Sequence, residues 1–223
     1  LRFLRLLEQF LAETEPATID PAGWRDTLGS GAGSGAIDGK PAILEARADF
    51  RRELSVIAAR GRDGAVACYP LAENRHEGGI LRLSRAPAGA TAALNAEAEA
   101  IARRILEGLD YVGVMGVELF ELADGRLLVN EIAPRVHNSG HWTQGGCAVA
   151  QFEQHIRAVA GLPLGDGRRH ADVVMENLIG DDMDRLPELL QAPDTQIHLY
   201  GKAEVKPGRK MGHVNRILRG QGA

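Results

Sequence analysis

Cysteine is scarce in this sequence, and the two present, Cys68 and Cys147, form neither a CxxC pair nor a disulfide framework. A small secreted domain held together by disulfides, or a cysteine-ligated zinc module, would need more of them. The scarcity therefore indicates a reducing, intracellular compartment, and we expect a cytoplasmic protein.

Long apolar runs and an excess of one charge are also missing. No stretch approaches the roughly 18 apolar residues of a membrane-spanning helix, and residues 1–7 lack the layout of a secretory signal. The 26 Lys+Arg and 30 Asp+Glu leave a net charge of −4, which offers no basic field for nucleic acid. We expect neither a membrane nor a nucleic acid among the partners.

What is present indicates a mixed fold. The 223 residues suffice for one large domain or two small ones. Strands followed by strand–helix blocks predict an α+β fold, an antiparallel sheet with packed helices. We expect an unassigned N-terminal helix and glycine-rich linker over 1–40, a main subdomain over 41–165 and a small β-rich C-terminal domain over 166–223.

Hydrophobic periodicity and turn residues place the individual elements. The helix after the central hairpin is expected to turn Phe152 and Ile156 inward, whereas residues 69–76 and 202–215 read as a polar loop and a basic, turn-containing segment. The predicted helices cover 1–13, 91–108 and 147–160, and the predicted strands cover 42–45, 53–59, 65–69, 173–180 and 196–200.

An Asp124-Gly125 pair between two apolar runs is the strongest short-range signal, and it predicts a β-hairpin. A two-residue turn at this pair would place Glu118 directly opposite Glu131 on one face. Their Cβ atoms would then lie roughly 4.5–5.5 Å apart, a spacing at which like charges destabilise a sheet.

The surroundings of this carboxylate pair are expected to be apolar. The same register places Phe120 opposite Val129, and we expect the hairpin to be covered on both faces. Poorly solvated carboxylates need a shared proton or a cation, and with Asn130 close by their oxygens suit Mg²⁺. Two alternatives stay open: a solvated strand face, and a register slip that separates the glutamates.

The segment 130–143 that ends this hairpin is dense in groups that hold anions and move protons. Arg135 can fork onto a phosphate or carboxylate, and His137 or His141 can titrate near neutral pH. Gly140 lets backbone approach a ligand closely. The alternative, a solvated surface loop, is less favoured because the segment follows directly on the predicted metal ligands.

Basic residues concentrate around a Pro207-Gly208 turn near the end of the chain. Such a cluster suits recognition of a phosphate monoester, and a solvated charged turn is an equally good interpretation. His76 has no interpretation from its neighbours alone. The clustered cations are Lys202, Lys206, Arg209 and Lys210.

Taken together, these residues resemble the C-terminal two thirds of an ATP-grasp enzyme, and more narrowly the N5-carboxyaminoimidazole ribonucleotide synthase family. The resemblance runs from about Pro41 to Asn215, and the His137-Asn-Ser-Gly-His141 stretch is its most distinctive part. Its other specific motifs are Tyr111–Glu118, Asn130–Thr143, Gln151–His155, Asn177–Gly180 and Lys206–His213.

The resemblance implies a magnesium-dependent, ATP-binding ligase of purine biosynthesis that is typically dimeric. Bicarbonate attacks the γ-phosphate of ATP to give carboxyphosphate. Carboxyphosphate, or the CO₂ it releases, then carboxylates the 5-amino group of aminoimidazole ribonucleotide. The implied cofactors are ATP and Mg²⁺, the implied substrates are bicarbonate and the ribonucleotide, and the chemistry is positioning and charge neutralisation.

The resemblance also implies roles for individual residues. Glu118 and Glu131 match the metal ligands of the family, and Asn130 and Glu131 match its ATP contacts. Arg135, His137 and Asn138 would line the place where bicarbonate, γ-phosphate and amine meet. The remaining matches are Glu45, Ala46, Arg47 and Ala48 for adenine, Glu53 for ribose, His76 for the nucleotide, and Lys202, Arg209 and Lys210 for the 5′-phosphate of the ribonucleotide.

The sequence departs from the family pattern near its start. Neither the N-terminal substrate-binding domain nor the Gly-Tyr-Asp-Gly-Lys-Gly-Gln loop over the ATP phosphates is recognisable, and the glycine-rich stretch 29–35 lacks the lysine of such a loop. Two alternatives therefore stand beside the ligase. They are a non-catalytic fragment that binds Mg-nucleotide, and another purine-pathway ATP-grasp enzyme such as the formate-using glycinamide ribonucleotide transformylase.

Overall fold

The computed structural model describes residues 36–37, 40–41 and 48–218. The chain divides into two compact units, Leu1–Asp49 and Phe50–Ala223. The domain boundaries predicted at residues 40 and 165 stay a prediction.

In the first unit, a short antiparallel pair joins β1 (Ala36–Ile37) to β2 (Lys40–Pro41). The helix predicted over 1–13 and the strand predicted over 42–45 lie outside the described residues. The same holds for the glycine-rich stretch predicted as a linker.

The described part of the second unit contains nine strands and four α-helices. Two 3₁₀ helices, Asn138–Gly140 and Gly180–Arg185, join them. No described helix is both long and apolar enough to cross a bilayer. The strands are β3 (Phe50–Arg60), β4 (Val66–Cys68), β5 (Ala72–Glu77), β6 (Ile80–Ala86), β7 (Gly113–Leu122), β8 (Leu127–Ala133), β9 (Asp172–Ile179), β10 (Thr195–Leu199) and β11 (Lys210–Leu218), and the helices are α1 (Ala92–Gly108), α2 (Thr143–Gly146), α3 (Gln151–Ala160) and α4 (Leu186–Leu189).

All nine strands belong to one antiparallel sheet, in the order β10-β11-β9-β6-β5-β3-β7-β8, with β4 paired to the far end of β3. The prediction of an α+β fold built on antiparallel sheet is confirmed. Strand β6 pairs with β9, so a single ladder of backbone hydrogen bonds connects the C-terminal strands to the central hairpin.

The centre of the sheet is dry because β3 and β7 are continuous apolar runs. Leu54, Val56 and Val117 are fully buried, and α1 packs on β3. Thr91 caps α1 by accepting a hydrogen bond from the Leu94 amide at 3.2 Å. A second cluster includes the buried Trp142, Tyr69 and Met175, and it seats the segment that follows β8.

The predicted hairpin exists, but its turn has three residues rather than two. The Gly125 amide donates to the Leu122 carbonyl at 3.0 Å, and the Leu122 amide donates to the Arg126 carbonyl at 2.9 Å. Gly125 has φ +86°, the left-handed residue that follows a type I turn in such loops. The two-residue prediction was wrong because an Asp-Gly pair serves both kinds of turn.

A bulge in β8 then restores the register near the carboxylates. Leu119 pairs with Val129 but Glu118 pairs with Glu131, so Asn130 is the extra residue. The predicted opposition of Glu118 and Glu131 is therefore confirmed. The predicted pairing of Phe120 with Val129 is wrong: Phe120 faces Leu128, which is 41% exposed. Since Leu128 and Glu131 are exposed, the hairpin is not covered on both faces.

Two other predictions of local structure were wrong, and one was incomplete. Residues 72–76 are not a loop but belong to β5, which forms a hairpin with β6; polar residues such as Asn74 and Ser84, whose side chains pair at 2.7 Å, conceal these strands in the sequence. The basic segment near the end contains the predicted turn but then continues into β11. Helix α3 begins at Gln151 rather than 147, because Cys147 is extended and bridges to Arg169.

Helix α3 also buries the face opposite to the one predicted. Its buried residues are Gln151, Gln154 and Ala158, whereas Phe152 and Ile156 are 38% and 59% exposed. An apolar periodicity identified the helix correctly but not its orientation, since two glutamines occupy the core-facing positions.

Two glycine substitutions test the turn. Gly125→Ala forces an alanine to φ +86° with no atom within 4 Å of the new Cβ, so we expect a loss of about 1 kcal/mol from backbone strain alone. The matched control Gly108→Ala, at the end of α1 and equally free of contacts, should stabilise by roughly 0.5–1 kcal/mol. Urea unfolding measures both, and an unchanged midpoint for Gly125→Ala would contradict the left-handed turn.

Candidate functional site

Two carboxylates and one imidazole form the centre of the site. Ligand atoms of Glu118, Glu131 and His137 all lie within 4.8 Å of one another. Glu118 projects from β7 and Glu131 from the bulged part of β8, and Glu131 is exposed whereas Glu118 is half-buried. His137 Nε2 lies 3.5 Å from Glu118 Oε1.

The charge on Glu118 is poorly compensated. Burial raises the pKa of the Glu118 carboxyl, and neighbouring Glu131 raises it further, while His76 and a hydrogen bond from Asn130 oppose the shift. No described lysine or arginine forms an ion pair with Glu118, whereas the buried Glu121, on the opposite face of β7, is paired with Arg52. Two carboxylates without a basic partner are a donor set that fits a hard divalent cation such as Mg²⁺.

Glu53 and His76, which are predicted to contact the nucleotide, lie beside Glu118. Ser55 of β3 faces Glu118 across the ladder, and Glu53 lies two residues away on the same face of β3. Glu53 Oε2 is 2.8 Å from His76 Nδ1, and both groups act on the charge of Glu118. The structure thus brings Glu53 and His76 to the carboxylates, with His76 on β5 rather than in a loop. Their roles as nucleotide ligands stay a prediction.

The segment after β8 folds back over the sheet instead of standing in solvent. A Cβ at Gly116 of β7 would lie 2.6 Å from the Cβ of His137, so the glycine lets His137 pack directly on the strand. The His137 ring accepts from the Ser139 amide through Nδ1, which leaves Nε2 as the protonated nitrogen of a neutral ring. Burial, together with the charges of Arg135 and Lys210, lowers the pKa of His137 to about 4.

The expectation that His137 or His141 titrates near neutral pH is not supported, because burial lowers the pKa of both rings well below 6.5. Burial lowers the pKa of His141 to about 3 and that of His213 to about 2. His141 stacks on His213 at 4.4 Å, and His213 stacks on His198 at 4.5 Å. The Tyr200 hydroxyl and Gln144 Oε1 lie 2.8 and 3.0 Å from the His213 nitrogens.

Two of the predicted anion ligands, Arg135 and Lys210, lie close enough to His137 to act on its charge, and Lys202 lies beside Lys210. Burial, together with the charges of Lys202 and Arg135, lowers the pKa of Lys210 to about 8. Lys202 Nζ donates to the Lys210 carbonyl at 2.5 Å. Arg209 instead donates to the Glu204 carbonyl at 3.2 Å. Because Lys210 has two like charges nearby, an anion bound there would be favoured.

The predicted adenine-contact residues and Asn138 complete the set of predicted ligands. Glu45, Ala46 and Arg47 lie outside the described residues, and the described Ala48 belongs to the first unit, so the adenine site stays a prediction. Asn138 lies at the 3₁₀ turn, and its Oδ1 is buried without a hydrogen-bond partner among the described residues. An unpartnered buried oxygen of this kind is available to a ligand.

Sequence reasoning missed one structural residue of the site, Gln151. Its buried amide contacts both His137 and His141. The sequence could have pointed to it, because a glutamine on the core-facing side of a helix needs buried hydrogen-bond partners. The apolar residues of α3 instead suggested that the opposite face was buried.

Two protein families match this chain. The family profile of the ATP-grasp domain matches residues 30–152. That of the phosphoribosylaminoimidazole carboxylase C-terminal domain matches residues 173–221. The first covers the carboxylates and the His137 segment, and the second covers the C-terminal cations and His213.

Individual relatives agree with these profiles. The N5-carboxyaminoimidazole ribonucleotide synthase of Brucella melitensis is 58% identical over 182 residues, which are 82% of this chain and 50% of that protein. The solved Thermus thermophilus synthetase superposes with a TM-score of 0.77 at 53% identity, covering 82% of this chain and 50% of its own. The Aspergillus clavatus synthase, solved with ADP and 5-aminoimidazole ribonucleotide, gives 0.73 at 39% identity, covering 76% and 47%. The chain thus spans about half the length of these relatives.

Cation binding should depend on both glutamates. Glu118→Gln and Glu131→Gln should each weaken Mn²⁺ binding, measured by electron paramagnetic resonance, by more than about tenfold, since even outer-shell partners of a metal are worth 10–100-fold. Glu97→Gln, which removes an exposed charge from α1, is the control and should bind as the wild type does. Equal binding by all four proteins would remove the metal assignment.

Stability should fall in mild acid. The folded pKa values of His137, His141 and His213 lie below the usual 6.5, so the unfolded chain binds more protons and stability is lost as pH drops below about 6.5. Each histidine contributes up to about 1.4 kcal/mol per pH unit. The raised pKa of Glu118 acts in the opposite direction and offsets part of the loss.

Urea unfolding at several pH values measures this effect. We expect a net loss of about 2–4 kcal/mol per unit between pH 6 and 5. From pH 7 to 8 the histidines are mostly neutral in both states, and we expect only a small rise, to which the lowered pKa of Lys210 contributes. A flat profile down to pH 5 would show that the three rings are not held neutral.

Proposed function

The chain belongs to the ATP-grasp family, and we propose that it forms the metal- and substrate-binding half of an ATP- and bicarbonate-dependent ligase. The reaction proposed is carboxylation of 5-aminoimidazole ribonucleotide to N5-carboxyaminoimidazole ribonucleotide, in purine biosynthesis. The proposal is supported by the relatives that carry this activity in their names, and by the Aspergillus clavatus structure with ADP and the ribonucleotide.

One observation carries the proposal: His137 lies close to the carboxylate of Glu118 and also feels the positive charges of Arg135 and Lys210. Its Nε2 is 3.5 Å from Glu118, and its pKa is lowered by Arg135 and Lys210. A ligase that joins a phosphorylated acid to a phosphorylated amine needs a cation site and an anion site side by side, because the reacting groups are anionic while their metal is cationic.

The reaction divides into two transfers. An oxygen of bicarbonate attacks the γ-phosphorus of ATP, the bond to ADP breaks, and carboxyphosphate forms. The 5-amino nitrogen then either attacks the carboxyl carbon of carboxyphosphate and expels phosphate, or attacks the CO₂ formed when carboxyphosphate releases phosphate. In either route the nitrogen loses a proton. Bound Mg²⁺ would neutralise phosphate charge in the first transfer.

The residues of the chain supply positions and charges for these transfers. Glu118 and Glu131 would hold the metal. Arg135 would fork onto bicarbonate or the γ-phosphate, and the neutral His137 would offer its Nε2 proton as a hydrogen-bond donor. Lys210 and Lys202 would receive the 5′-phosphate of the ribonucleotide, whose negative charge relieves the repulsion between them.

Two other functions would use the same residues differently. A non-catalytic fragment would bind Mg-nucleotide through Glu118 and Glu131 without turnover. The formate-using glycinamide ribonucleotide transformylase is another purine-pathway ATP-grasp enzyme, but the His137-Asn-Ser-Gly-His141 segment and the match to the carboxylase C-terminal domain favour the carboxylating enzyme.

We also infer that the protein works as a homodimer in the cytoplasm. The dimer follows from the assembly typical of the family. The location is supported by two free thiols at Cys68 and Cys147, which suit a reducing compartment.

Phosphate release from MgATP tests the function. With bicarbonate present, aminoimidazole ribonucleotide should stimulate release, whereas glycinamide ribonucleotide with formate should not. Lys210→Met should raise the KM for the ribonucleotide by about 10–100-fold, the worth of one charged hydrogen bond. Lys206→Met is the control, because Lys206 is exposed on the same turn and paired with Glu204 at 2.7 Å.

The outcomes separate the candidates. Stimulation by the ribonucleotide supports the ligase. Binding of MgADP in calorimetry without any turnover supports the non-catalytic fragment, and stimulation by glycinamide ribonucleotide with formate supports the transformylase.

A further inference from the structure

The buried face of helix α3 carries glutamine side chains, whereas the buried face of an amphipathic helix usually carries apolar ones. Gln151 and Gln154 are fully buried, while Ile156 and Phe152 of the same helix are 59% and 38% exposed. Burying an amide costs free energy unless every polar atom is satisfied. Violations of the local pattern are expected where a site needs them, so the contacts of each glutamine decide what it does.

The Gln151 side chain is completely used. Its Oε1 accepts from the His137 amide at 2.9 Å, and its Nε2 donates to the His137 carbonyl at 2.7 Å. The second Nε2 proton points to His141 Nδ1 at 3.1 Å. The amide thus pairs with the backbone of His137 as a neighbouring strand would, and it holds His141 as the tautomer that accepts at Nδ1.

Two glycines make room for this pairing. A Cβ at Gly140 would lie 2.5 Å from Gln151 Oε1, and a Cβ at Gly116 would lie 2.6 Å from the Cβ of His137. His137 is therefore held from two sides, by β7 beneath it and by the Gln151 amide across its backbone. Its ring is directed toward Glu118, with Nε2 3.5 Å from Oε1.

We propose that Gln151 is a positioning residue: it fixes the backbone of His137, and so places the imidazole Nε2–H beside the metal carboxylates. This inference rests on the proposed function for its catalytic consequence. Gln151 does not itself reach the carboxylates. It acts through His137, and through His141 it connects that residue to the stack of His213 and His198.

The same helix supplies a matched control in Gln154. It is equally buried, and it pairs with backbone in the same two-way manner, accepting from the Gly165 amide at 2.8 Å and donating to the Gly165 carbonyl at 2.7 Å. Gly165 precedes β9 and is not part of the site. Replacing either glutamine removes a comparable buried pairing, but only Gln151 holds a residue of the site.

The experiment compares Gln151→Met with Gln154→Met in the full chain. Both should lower the urea midpoint. Only Gln151→Met should lower kcat for ribonucleotide-dependent phosphate release, by about 100-fold, since a misplacement near 1 Å costs that much. The KM for ATP should stay within about threefold, because the nucleotide ligands are untouched. Equal loss of kcat in the two variants would overturn the proposal and leave Gln151 with a structural role.

A conservative variant adds a pH-dependent rescue. Gln151→Glu keeps the acceptor for the His137 amide but loses both donors. Its buried carboxyl, facing a carbonyl, should have a raised pKa and regain one donor when protonated. The activity of Gln151→Glu relative to the wild type should therefore rise as pH falls from 8 to 6. A constant ratio would contradict the hydrogen bond to the His137 carbonyl.

A second measurement does not need turnover. Two-bond ¹⁵N–¹H spectra of the histidine rings, with His137 assigned from a His137→Asn variant, report its tautomer at pH 7. Gln151→Met should shift or broaden the His137 signals, and Gln154→Met should leave them in place. Unchanged signals in Gln151→Met would overturn the positioning role. Absence of turnover in the wild type would count against the proposed function alone.

Discussion

The repulsion between Glu118 and Glu131 is the constraint around which this site is built. The two carboxylates are neighbours on adjacent strands, and burial and mutual repulsion both raise the pKa of Glu118. A shared proton or a cation would relieve this arrangement. The contrast with Glu121 is instructive, because that buried carboxylate on the opposite face of β7 has its own guanidinium, Arg52.

The basic residues near the carboxylates present the opposite problem, an excess of positive charge. Burial, together with the nearby charges of Lys202 and Arg135, lowers the pKa of Lys210 to about 8, and the neighbouring histidines are held neutral by burial. The carboxylates and the basic groups therefore present two regions of opposite charge in this part of the chain. Ligands bring the missing charges, which is the usual logic of a preorganised site.

The sequence predicts the chemistry of this site better than its local geometry. An Asp124-Gly125 pair identified the hairpin and the facing glutamates, yet the turn length was wrong and the bulge at Asn130 compensated for it. Turn length depends on backbone hydrogen bonds that the same dipeptide can make in two ways. Strand β5 was missed because its polar residues pair with neighbouring strands, and such pairing is invisible in a single segment.

The orientation of α3 is a second case in which the local sequence pattern was misleading. Its apolar residues follow helical spacing, but the face that is buried carries Gln151 and Gln154. Tertiary hydrogen bonds to His137 and Gly165 outweigh the local pattern. The His137-Asn-Ser-Gly-His141 stretch could be recognised by resemblance, whereas its supporting amide could be found only from the fold.

The bulge at Asn130 has a consequence for the chain in a crowded solution. Strand β8 is the last described strand of the sheet, and an open, regular edge is a template on which other chains can aggregate. A bulge interrupts that template and increases the local twist, and the exposed charge of Glu131 repels a similar strand. The extra residue that brings the two glutamates together thus also protects the edge against self-association.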